Sequence, residues 1–442
     1  MVLGRTMGEK GLFAALAEPP VAGTSAERLS KLLRWDLDFR GENSRYGPHN
    51  LHAFAAKFPP QIPRLFIRHL TDPGELVLDP MVGSGTTLVE AGLLGRQGVG
   101  FDIDPLAARI SRMKTTAVSR AAVEQAGRSC LDEAAGLATD GAWVATELDR
   151  RFGDEARRFL DYWFAAGTQG QLLALIVSIE RIEHEEVRNF LRLVFSSIII
   201  TKSGGVSLAR DLAHSRPHRE VHKRPRDVFA EFAKRLSALV GSSGHLPSPA
   251  GATLVGRGDA RRLPLADQTV DLVVTSPPYA NAIDYVRAHK FSLVWLGTDL
   301  SDLRVLRGRY VGSERCDGAD PGKVPGSVRR VVSRLRRLDA RKATLLLKYF
   351  VDMRLVLSEM SRVLKHGRAA VVVVGNSTMR GMPVPTQRCL AALGEDVGLR
   401  LVGIGDRQLD RDRRMMPASF HPSNAGIELR MHREYVLGFI RP

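Results

Sequence analysis

Cysteine is scarce in this chain of 442 residues, with only Cys130, Cys316 and Cys389 present. The three positions lie far apart and include no Cys-x-x-Cys pair. Neither a disulfide framework nor a zinc site is therefore expected, and no metal ligand set is predicted. So few cysteines fit a reducing compartment.

Long apolar runs are also missing. No stretch of eighteen apolar residues occurs, and the first residues lack the apolar segment of a secretory signal. We therefore expect a soluble, cytoplasmic protein that does not contact a membrane.

Acidic residues are outnumbered by basic ones, with 48 Asp and Glu against 64 Lys and Arg, which gives a net charge of +16. This balance favours a polyanionic partner such as nucleic acid, because cationic side chains neutralise phosphates. A generally basic, arginine-rich proteome remains an alternative explanation. Hydrophobic residues make up 44% of the chain and charged residues 25%, as in globular proteins, so global disorder is not expected.

The chain divides into four segments by composition. Residues 1–45 resemble a loosely structured lead-in, whereas 46–118 and 250–442 carry α/β patterning. Between them, 119–249 shows apolar residues at helical spacing and predicts a mainly helical insertion. Within the last segment, 301–342 holds twelve basic and five acidic residues and is treated as a basic excursion from the core.

A β-α-β unit opens the α/β pattern. The apolar run Leu76–Asp79 leads through Gly83-Ser84-Gly85 into a helix at Thr86, and a second strand follows at 98–102. Because the crossover is helical, the strands should be parallel. The predicted fold is a doubly wound, mostly parallel, Rossmann-like sheet of seven strands. The other five strands are predicted at 253–255, 270–274, 369–374, 401–404 and 435–440.

The glycine turn is a candidate ligand site, since glycines allow close backbone approach and the helix N-terminus offers free N–H groups. Asp102 ends the second strand, where a carboxylate can accept hydrogen bonds from both ribose hydroxyls of an adenosine. It could instead cap the helix that begins at Pro105. Leu88 replaces the third glycine of the dinucleotide fingerprint, which disfavours a nicotinamide cofactor. Asp79 suits a cationic amino-acid group better than a pyrophosphate.

A second candidate site is Ser276-Pro277-Pro278-Tyr279, which comes just after the apolar run 270–274. It falls at the carboxyl end of a strand, where open α/β sheets bind ligands. Two prolines stiffen the backbone, so the Ser276 side chain and the Pro277 carbonyl become fixed acceptors for an amino group. The Tyr279 ring offers a face for stacking a rotated base, worth about 1–3 kcal/mol. A structural proline turn is the alternative.

These residues resemble the amino-directed DNA methyltransferases, which depend on S-adenosylmethionine (SAM). Asp79-Pro80 and the glycine turn with Thr86-Thr87 are similar to their motif I. Thr275-Ser276-Pro277-Pro278-Tyr279 is similar to motif IV, in the Ser-Pro-Pro-Tyr form associated with cytosine-N4 enzymes. The resemblance implies methylation of a flipped-out base in double-stranded DNA. Adenine-N6 methylation of DNA and methylation of an RNA base amine remain alternatives, because serine is a preference at this position.

The resemblance also assigns site residues. Ala56–Pro63 is similar to motif X, which lines the methionine end of the cofactor, and Asp259 occupies the place of the acidic residue that contacts the adenine amino group. The residues inferred to bind SAM are Lys57, Phe58, Asp79, Pro80, Gly83, Ser84, Gly85, Thr86, Asp102 and Asp259. The residues inferred to be catalytic are Ser276, Pro277, Pro278 and Tyr279.

The motif order differs from the commonest cytosine-N4 pattern, because motif IV comes last here. Both the insertion at 119–249 and the excursion at 301–342 could therefore recognise the DNA target. A basic stretch from Ser207 to Arg226 ends the insertion and is a candidate phosphate contact, although a solvated charged face is an equal alternative. Cytosine-C5 methylation needs a thiolate, usually in Pro-Cys, and no cysteine here follows a proline. A cognate restriction endonuclease is a possible partner.

Overall fold

A seven-stranded sheet forms the centre of the structure. The computed structural model describes residues 22–201, 205–210, 217–242, 251–280, 284–313, 323–409 and 432–442. The sheet strands are β1 (Leu76–Asp79), β2 (Gln97–Asp102), β5 (Thr253–Arg257), β6 (Val270–Thr275), β7 (Leu364–Gly375), β10 (Arg400–Gln408) and β11 (Arg433–Ile440). Two short hairpins pair β3 (Ala209–Arg210) with β4 (His218–Arg219) and β8 (Ser377–Met379) with β9 (Met382–Val384).

The strand order in the sheet is β10-β11-β7-β6-β1-β2-β5. Every neighbouring pair from β7 to β5 is parallel, whereas β11 runs antiparallel to both β7 and β10. The prediction of a mostly parallel, doubly wound sheet is confirmed. All seven predicted strands are present, with ends that differ from the predicted ones by a few residues.

The order of strands reverses between β1 and β6. From β1 the chain winds outward to β2, and from β6 it winds the opposite way to β7. Leu78 of β1 is in register with Val273 of β6, so the carboxyl ends of these strands lie side by side. Such a switch point opens a crevice in which doubly wound sheets bind ligands.

Alternating side chains of the central strands are buried on opposite faces of the sheet. Val77 and Leu272 pack in one apolar cluster, and Leu78 and Val273 pack in another. Burial on both faces explains why these strands are continuous apolar runs. The helices are α1 (Ser25–Leu32), α2 (Gln61–Leu70), α3 (Thr86–Leu93), α4 (Pro105–Thr115), α5 (Arg120–Thr139), α6 (Gly141–Arg151), α7 (Asp154–Trp163), α8 (Ala166–Glu180), α9 (Glu185–Ile199), α10 (Val228–Ser242), α11 (Tyr285–Trp295), α12 (Leu300–Arg309), α13 (Gly326–Arg336), α14 (Ala340–Val363) and α15 (Thr386–Asp396).

Helices α5 to α10 form the expected helical insertion. Their apolar side chains build a separate core that also includes residues of α4 and α11. Phe164, for example, meets Trp295 of α11 edge-on, with ring centroids 5.6 Å apart. The insertion therefore packs against the helix that follows the proline loop. Residues 211–216, within the basic stretch at its end, lie outside the described residues.

Helix α1 differs from the loosely structured lead-in expected for residues 1–45. Thr24 and Glu27 form a reciprocal capping box at its start, and Leu29 and Leu32 are fully buried beneath the sheet. Capping and the three-residue spacing of these leucines stabilise a short helix that composition alone does not reveal. Residues 1–21 lie outside the described residues. No helix in the described part of the chain has the length and apolarity needed to cross a bilayer.

A buried carboxylate ties together the elements behind the glycine turn. Glu90 of α3 accepts hydrogen bonds from the Tyr46 hydroxyl at 2.6 Å and from Arg64 Nε at 2.7 Å, and it contacts His49 Nε2 at 2.7 Å. Burial opposes its charge, but the contacts with His49, Arg64 and Tyr46 hold the pKa of Glu90 below its usual value. The network fixes α2 against α3.

Replacing Glu90 with glutamine is expected to destabilise the protein by about 3–5 kcal/mol, because the buried Arg64 loses its counter-charge. The lowered midpoint of urea unfolding would measure the loss. Glu124→Gln is the matched control, since Glu124 pairs with Arg120 at the surface and is worth at most about 1 kcal/mol. Equal midpoints for the two variants would contradict the structural role of the network.

Candidate active site

A cleft opens at the carboxyl ends of β1, β2 and β6, where the strand order reverses. It encloses about 820 Å³, counting space that is open to solvent. The predicted site residues that line it are Lys57, Phe58, Pro80, Gly83, Ser84, Thr86, Asp102, Asp259, Ser276 and Pro278.

The glycine turn forms the floor of the cleft. Gly83 and Gly85 adopt left-handed backbone angles, with φ of +50° and +81°, and Gly85 precedes the first turn of α3. A Cβ atom on Gly85 would lie 2.6 Å from the Ser111 hydroxyl, so a larger residue would clash with α4. The Gly83 N–H donates to Asp102 Oδ2 at 2.8 Å. The end of β2 thus holds the turn in shape.

Asp102 extends into the cleft from the end of β2. Its Oδ1 accepts a second backbone bond, from the Asp104 N–H at 2.9 Å. Burial, and then the charge of Asp104, raises the pKa of Asp102 to about 7. The carboxyl is therefore fixed in orientation and able to gain or lose a proton near neutral pH.

The proline loop provides the facing wall. Ser276 and Pro278 line the cleft, but Pro277 and Tyr279 do not. The Tyr279 hydroxyl instead donates to Glu434 Oε1 of β11 at 2.7 Å. Burial, reinforced by the negative charge of Glu434, raises the pKa of Tyr279 well above its usual value. The phenol is thus a hydrogen-bond donor anchored to the sheet, and its ring is partly exposed.

Glu434 is itself paired across two strands. It lies opposite Arg407 in the β10–β11 register, and Arg407 Nη1 is 3.5 Å from Glu434 Oε2. The Arg407 side chain is only 3% exposed. A buried charged pair therefore anchors the proline loop through Tyr279. Sequence reasoning missed both residues, since 155 positions separate Glu434 from Tyr279 and no motif connects them.

Aromatic side chains line the cleft beside Lys57 and Phe58. Phe54 stacks on Tyr285, with ring centroids 5.7 Å apart and an interplanar angle of 24°. Lys57 Nζ donates to the His49 carbonyl at 2.8 Å. Tyr310, from the basic excursion, completes this side. The sequence analysis did not single out the three rings at 54, 285 and 310, although Tyr285 lies only six residues after Tyr279.

Asp259 lines the cleft at the far side of β2. Arg261 holds its carboxylate through Nε at 2.9 Å and Nη2 at 2.7 Å, and the same arginine binds Asp352 at 2.8 Å. These contacts fix the direction of the Asp259 oxygens. One cleft-lining acceptor is thus oriented by a cation that also bridges to α14.

Asp79 and Gly85 do not line the cleft. Asp79 is 1% exposed, and its Oδ1 accepts the Met81 N–H at 3.2 Å. Burial raises the pKa of Asp79 to about 6. Asp79 therefore shapes the turn from behind the cleft wall, and its pairing with a cationic ligand group stays a prediction.

The cleft fits the SAM that the resemblance implies. Asp102 offers a carboxylate for ribose hydroxyls, Asp259 an acceptor for an amino group, and Lys57 a cation for a carboxylate. The aromatic side chains give apolar faces for a ring and for a sulfonium. These residue types match the distinct parts of that cofactor.

The described cysteines do not belong to the site. Cys130 and Cys389 are buried away from the cleft, and burial raises the pKa of each thiol to about 12. Neither is a thiolate at neutral pH, so neither can act as a nucleophile. Cys316 lies outside the described residues.

Comparison with known proteins adds independent findings. Residues 25–113 match the family model described as DNA methylase of the N6/N4 methyltransferase type. The chain is 24% identical over 419 residues to the type II methyltransferase M.MvaI of Kocuria varians, which covers 88% of this chain and 89% of that protein. It is 23% identical to M.AvaI of Nostoc sp. over 74% of this chain and 73% of that one.

A solved structure, the geranyl diphosphate C-methyltransferase of Streptomyces coelicolor, aligns over 96% of this chain and all of its own. The identity is 10% and the TM-score 0.32, a similarity too distant to identify a substrate.

Proposed function

Because the chain belongs to the N6/N4 amino family of DNA methyltransferases and uses SAM, we propose that it methylates the N4 atom of cytosine in double-stranded DNA. The observation that carries the choice of N4 is Ser276. It opens the Ser-Pro-Pro-Tyr loop and lines the cleft opposite the glycine turn. A flipped cytosine would enter from the side of this loop.

An aryl amine is a poor nucleophile, because its lone pair is delocalised into the ring. Ser276 and Pro277 are proposed to counter this delocalisation. When bound, SAM supplies an electrophilic methyl group on a positively charged sulfur. The Ser276 hydroxyl and the Pro277 carbonyl accept the two amine hydrogens and hold the nitrogen lone pair toward the cleft. Tyr279 presents its ring to the base, and Glu434 fixes the orientation of that ring.

Identification of the methylated nucleoside tests the proposal. Mixed-sequence duplex DNA is incubated with the protein and methyl-labelled SAM, digested to nucleosides and separated. We expect the label in N4-methyldeoxycytidine. Label in N6-methyladenine would overturn the choice of base. In a parallel incubation that offers both RNA and DNA, label in RNA but not in DNA would overturn the choice of substrate.

SAM binding is expected to tighten as the pH rises from 6 to 8. The pKa of Asp102 is about 7 in the free protein, and ribose hydroxyls donate more strongly to its ionised form than to its protonated form. Binding therefore releases a proton below this pKa, and affinity increases until Asp102 is ionised. Isothermal titration calorimetry in buffers of different ionisation enthalpy measures both effects. Asp102→Asn keeps Asp79 and Asp104 and should remove most of the pH dependence; a dependence unchanged in that variant would exclude Asp102 as its source.

Tyr279→Phe is expected to lower kcat less than tenfold, because the ring that stacks on the base remains and only the hydrogen bond to Glu434 is lost. Tyr279→Ala removes the ring and should reduce kcat by an additional factor of about 5–100. Fluorescence of 2-aminopurine placed at the target position reports whether the flipped base is stacked. Equal losses for both variants would show that the hydroxyl, and not the ring, is what matters.

The type II relatives support a further part of the proposal, which is a role beside a cognate restriction endonuclease. Plasmid DNA from cells that express the protein should resist cleavage by the endonuclease whose site it methylates. Complete cleavage of plasmid that carries the modification would argue against protection. The insertion at 119–249 is the proposed target-recognition region.

A further inference from the structure

Helix α13 carries an unusually one-sided charge. The described residues 323–342 include eight basic residues and one acidic residue, a difference of +7. Helix α13 itself contains no acidic side chain. Five arginines are exposed along it and at its C-cap, and we call them the α13 arginine face: Arg329, Arg330, Arg334, Arg336 and Arg337.

Within the described residues, no carboxylate neutralises the α13 arginine face. None of its five arginines forms an ion pair with a carboxylate in the described ranges of the chain. Residues 120–200 of the helical insertion are the opposite case, since they contain nine basic and thirteen acidic residues, a difference of −4. Several of their arginines are paired, for example Arg151 with Glu180 and Arg181 with Glu133. Of these two segments, only 323–342 carries a net positive charge.

Packing of α13 does not require these arginines. Its other side buries Val328, Val332 and Leu335 in the cluster that covers one face of the sheet. Apolar residues thus fix the helix on the core, and the arginines project from the opposite side. Such a rigid cationic surface loses little conformational freedom when it binds a polyanion.

The α13 arginine face lies at the edge of the sheet that carries the active site. A groove is lined by Arg334 and Arg337 together with Arg380 at the tip of the β8–β9 hairpin. That hairpin follows the carboxyl end of β7, so Arg380 is within roughly 18 Å of Gly375 along the chain. Gly375 is in register with Glu434, the partner of Tyr279. Arg334 and Arg337 therefore lie beside the hairpin that follows the carboxyl end of β7, the strand whose end pairs with the partner of Tyr279.

We propose that the α13 arginine face binds the phosphates of DNA that flank the methylated base. The proposal rests on the proposed function, since it takes DNA as the substrate, but it depends on charge and position and not on which base is modified. Arginine offers paired N–H donors that match phosphate oxygens. Contacts of this kind give affinity without sequence preference.

The salt dependence of DNA binding tests the proposal. Arg330, Arg334 and Arg337 lie at i, i+4 and i+7 on one stripe of α13. In R330Q/R334Q/R337Q, the slope of log affinity against log salt for a 30-base-pair duplex should become shallower by about 2–3, at roughly 0.9 per lost phosphate contact. R330K/R334K/R337K keeps the charges and should keep most of the slope.

The matched control removes the same charge elsewhere. K31Q/R34Q/R400Q replaces three exposed basic side chains of α1, the turn after it and β10, outside both the insertion and the excursion, and should leave the slope near that of the unmodified protein. An unchanged slope in the α13 variant, or an equal change in the control, would overturn the proposal. SAM affinity should be unaltered in all variants, which confirms folding. A protein that binds duplex through α13 but transfers no methyl group would refute the proposed function and leave this inference standing.

Discussion

Ser276→Ala is expected to lower kcat by roughly 10²–10³-fold while changing the Kd of SAM less than about twofold. The hydroxyl lines the cleft at the carboxyl end of β6, where it can accept an N–H of the target amine. Without this acceptor, the lone pair of the target amine stays delocalised in the base. The glycine turn and Asp102 are not changed by the substitution. The loss should therefore appear in the chemical step, measured by single-turnover methylation at saturating SAM and DNA.

Two further variants sharpen this experiment. Ser276→Asp restores an acceptor oxygen and should recover part of the lost rate. Ser129→Ala removes an exposed hydroxyl from the insertion and should behave like the unmodified protein. A Ser276→Ala variant with an unchanged single-turnover rate would show that this hydroxyl accepts no hydrogen bond during transfer.

Asp102→Ala has the largest expected effect on cofactor affinity, a rise of about 10²-fold in the Kd of SAM. The carboxylate is proposed to accept the ribose hydroxyls, and bonds to a charged group contribute about 1.5–3 kcal/mol each. The same substitution removes the bonds that hold Gly83 and Asp104, so the turn loses part of its support. Calorimetric titration with SAM measures the change.

Asp102→Ala should change the Kd of SAM more than kcat, whereas Ser276→Ala should change kcat more than the Kd of SAM. At saturating SAM most of the kcat is expected to return, because the proline loop is untouched. Asp149→Ala, at a largely exposed position of the insertion, serves as the control. If both site variants lost kcat and SAM affinity to the same extent, binding and chemistry would not be separated between β2 and the proline loop.

Local pattern predicted the core of this fold well. The strands β1, β2 and β6 are short apolar runs buried on both faces, and such runs are visible in a single sequence. Their parallel pairing follows from the helices between them. The rule that ligands bind where strand order reverses then brings the glycine turn and the proline loop to one cleft.

Contacts between residues distant in sequence could not be predicted. Tyr279 is held by Glu434 and Arg407, which come from strands at the other end of the chain. Asp79 was predicted to meet a cationic group of the ligand, whereas in the structure its carboxylate is buried, does not line the cleft and accepts the Met81 N–H. Side-chain direction at a strand end depends on tertiary packing, and one sequence carries no record of that packing.

The sequence shows where the basic residues lie along the chain, but it does not show which of them form ion pairs with carboxylates. Both the insertion and the basic excursion were candidates for DNA contact. The structure shows insertion arginines paired with glutamates, whereas the α13 arginine face has no such partner among the described residues. Pairing depends on which side chains meet in space, so net charge per segment becomes informative only once the helices are placed.

We propose that the proline loop holds the target amine beside a methyl donor bound on the glycine turn. A crystal structure with duplex DNA and a SAM analogue that cannot transfer its methyl group would show this arrangement. We expect the exocyclic nitrogen of a flipped cytosine at about 3 Å from both Ser276 Oγ and the Pro277 carbonyl, with the analogue's ribose on Asp102. A target nitrogen held elsewhere, out of reach of the analogue's sulfur position, would contradict it.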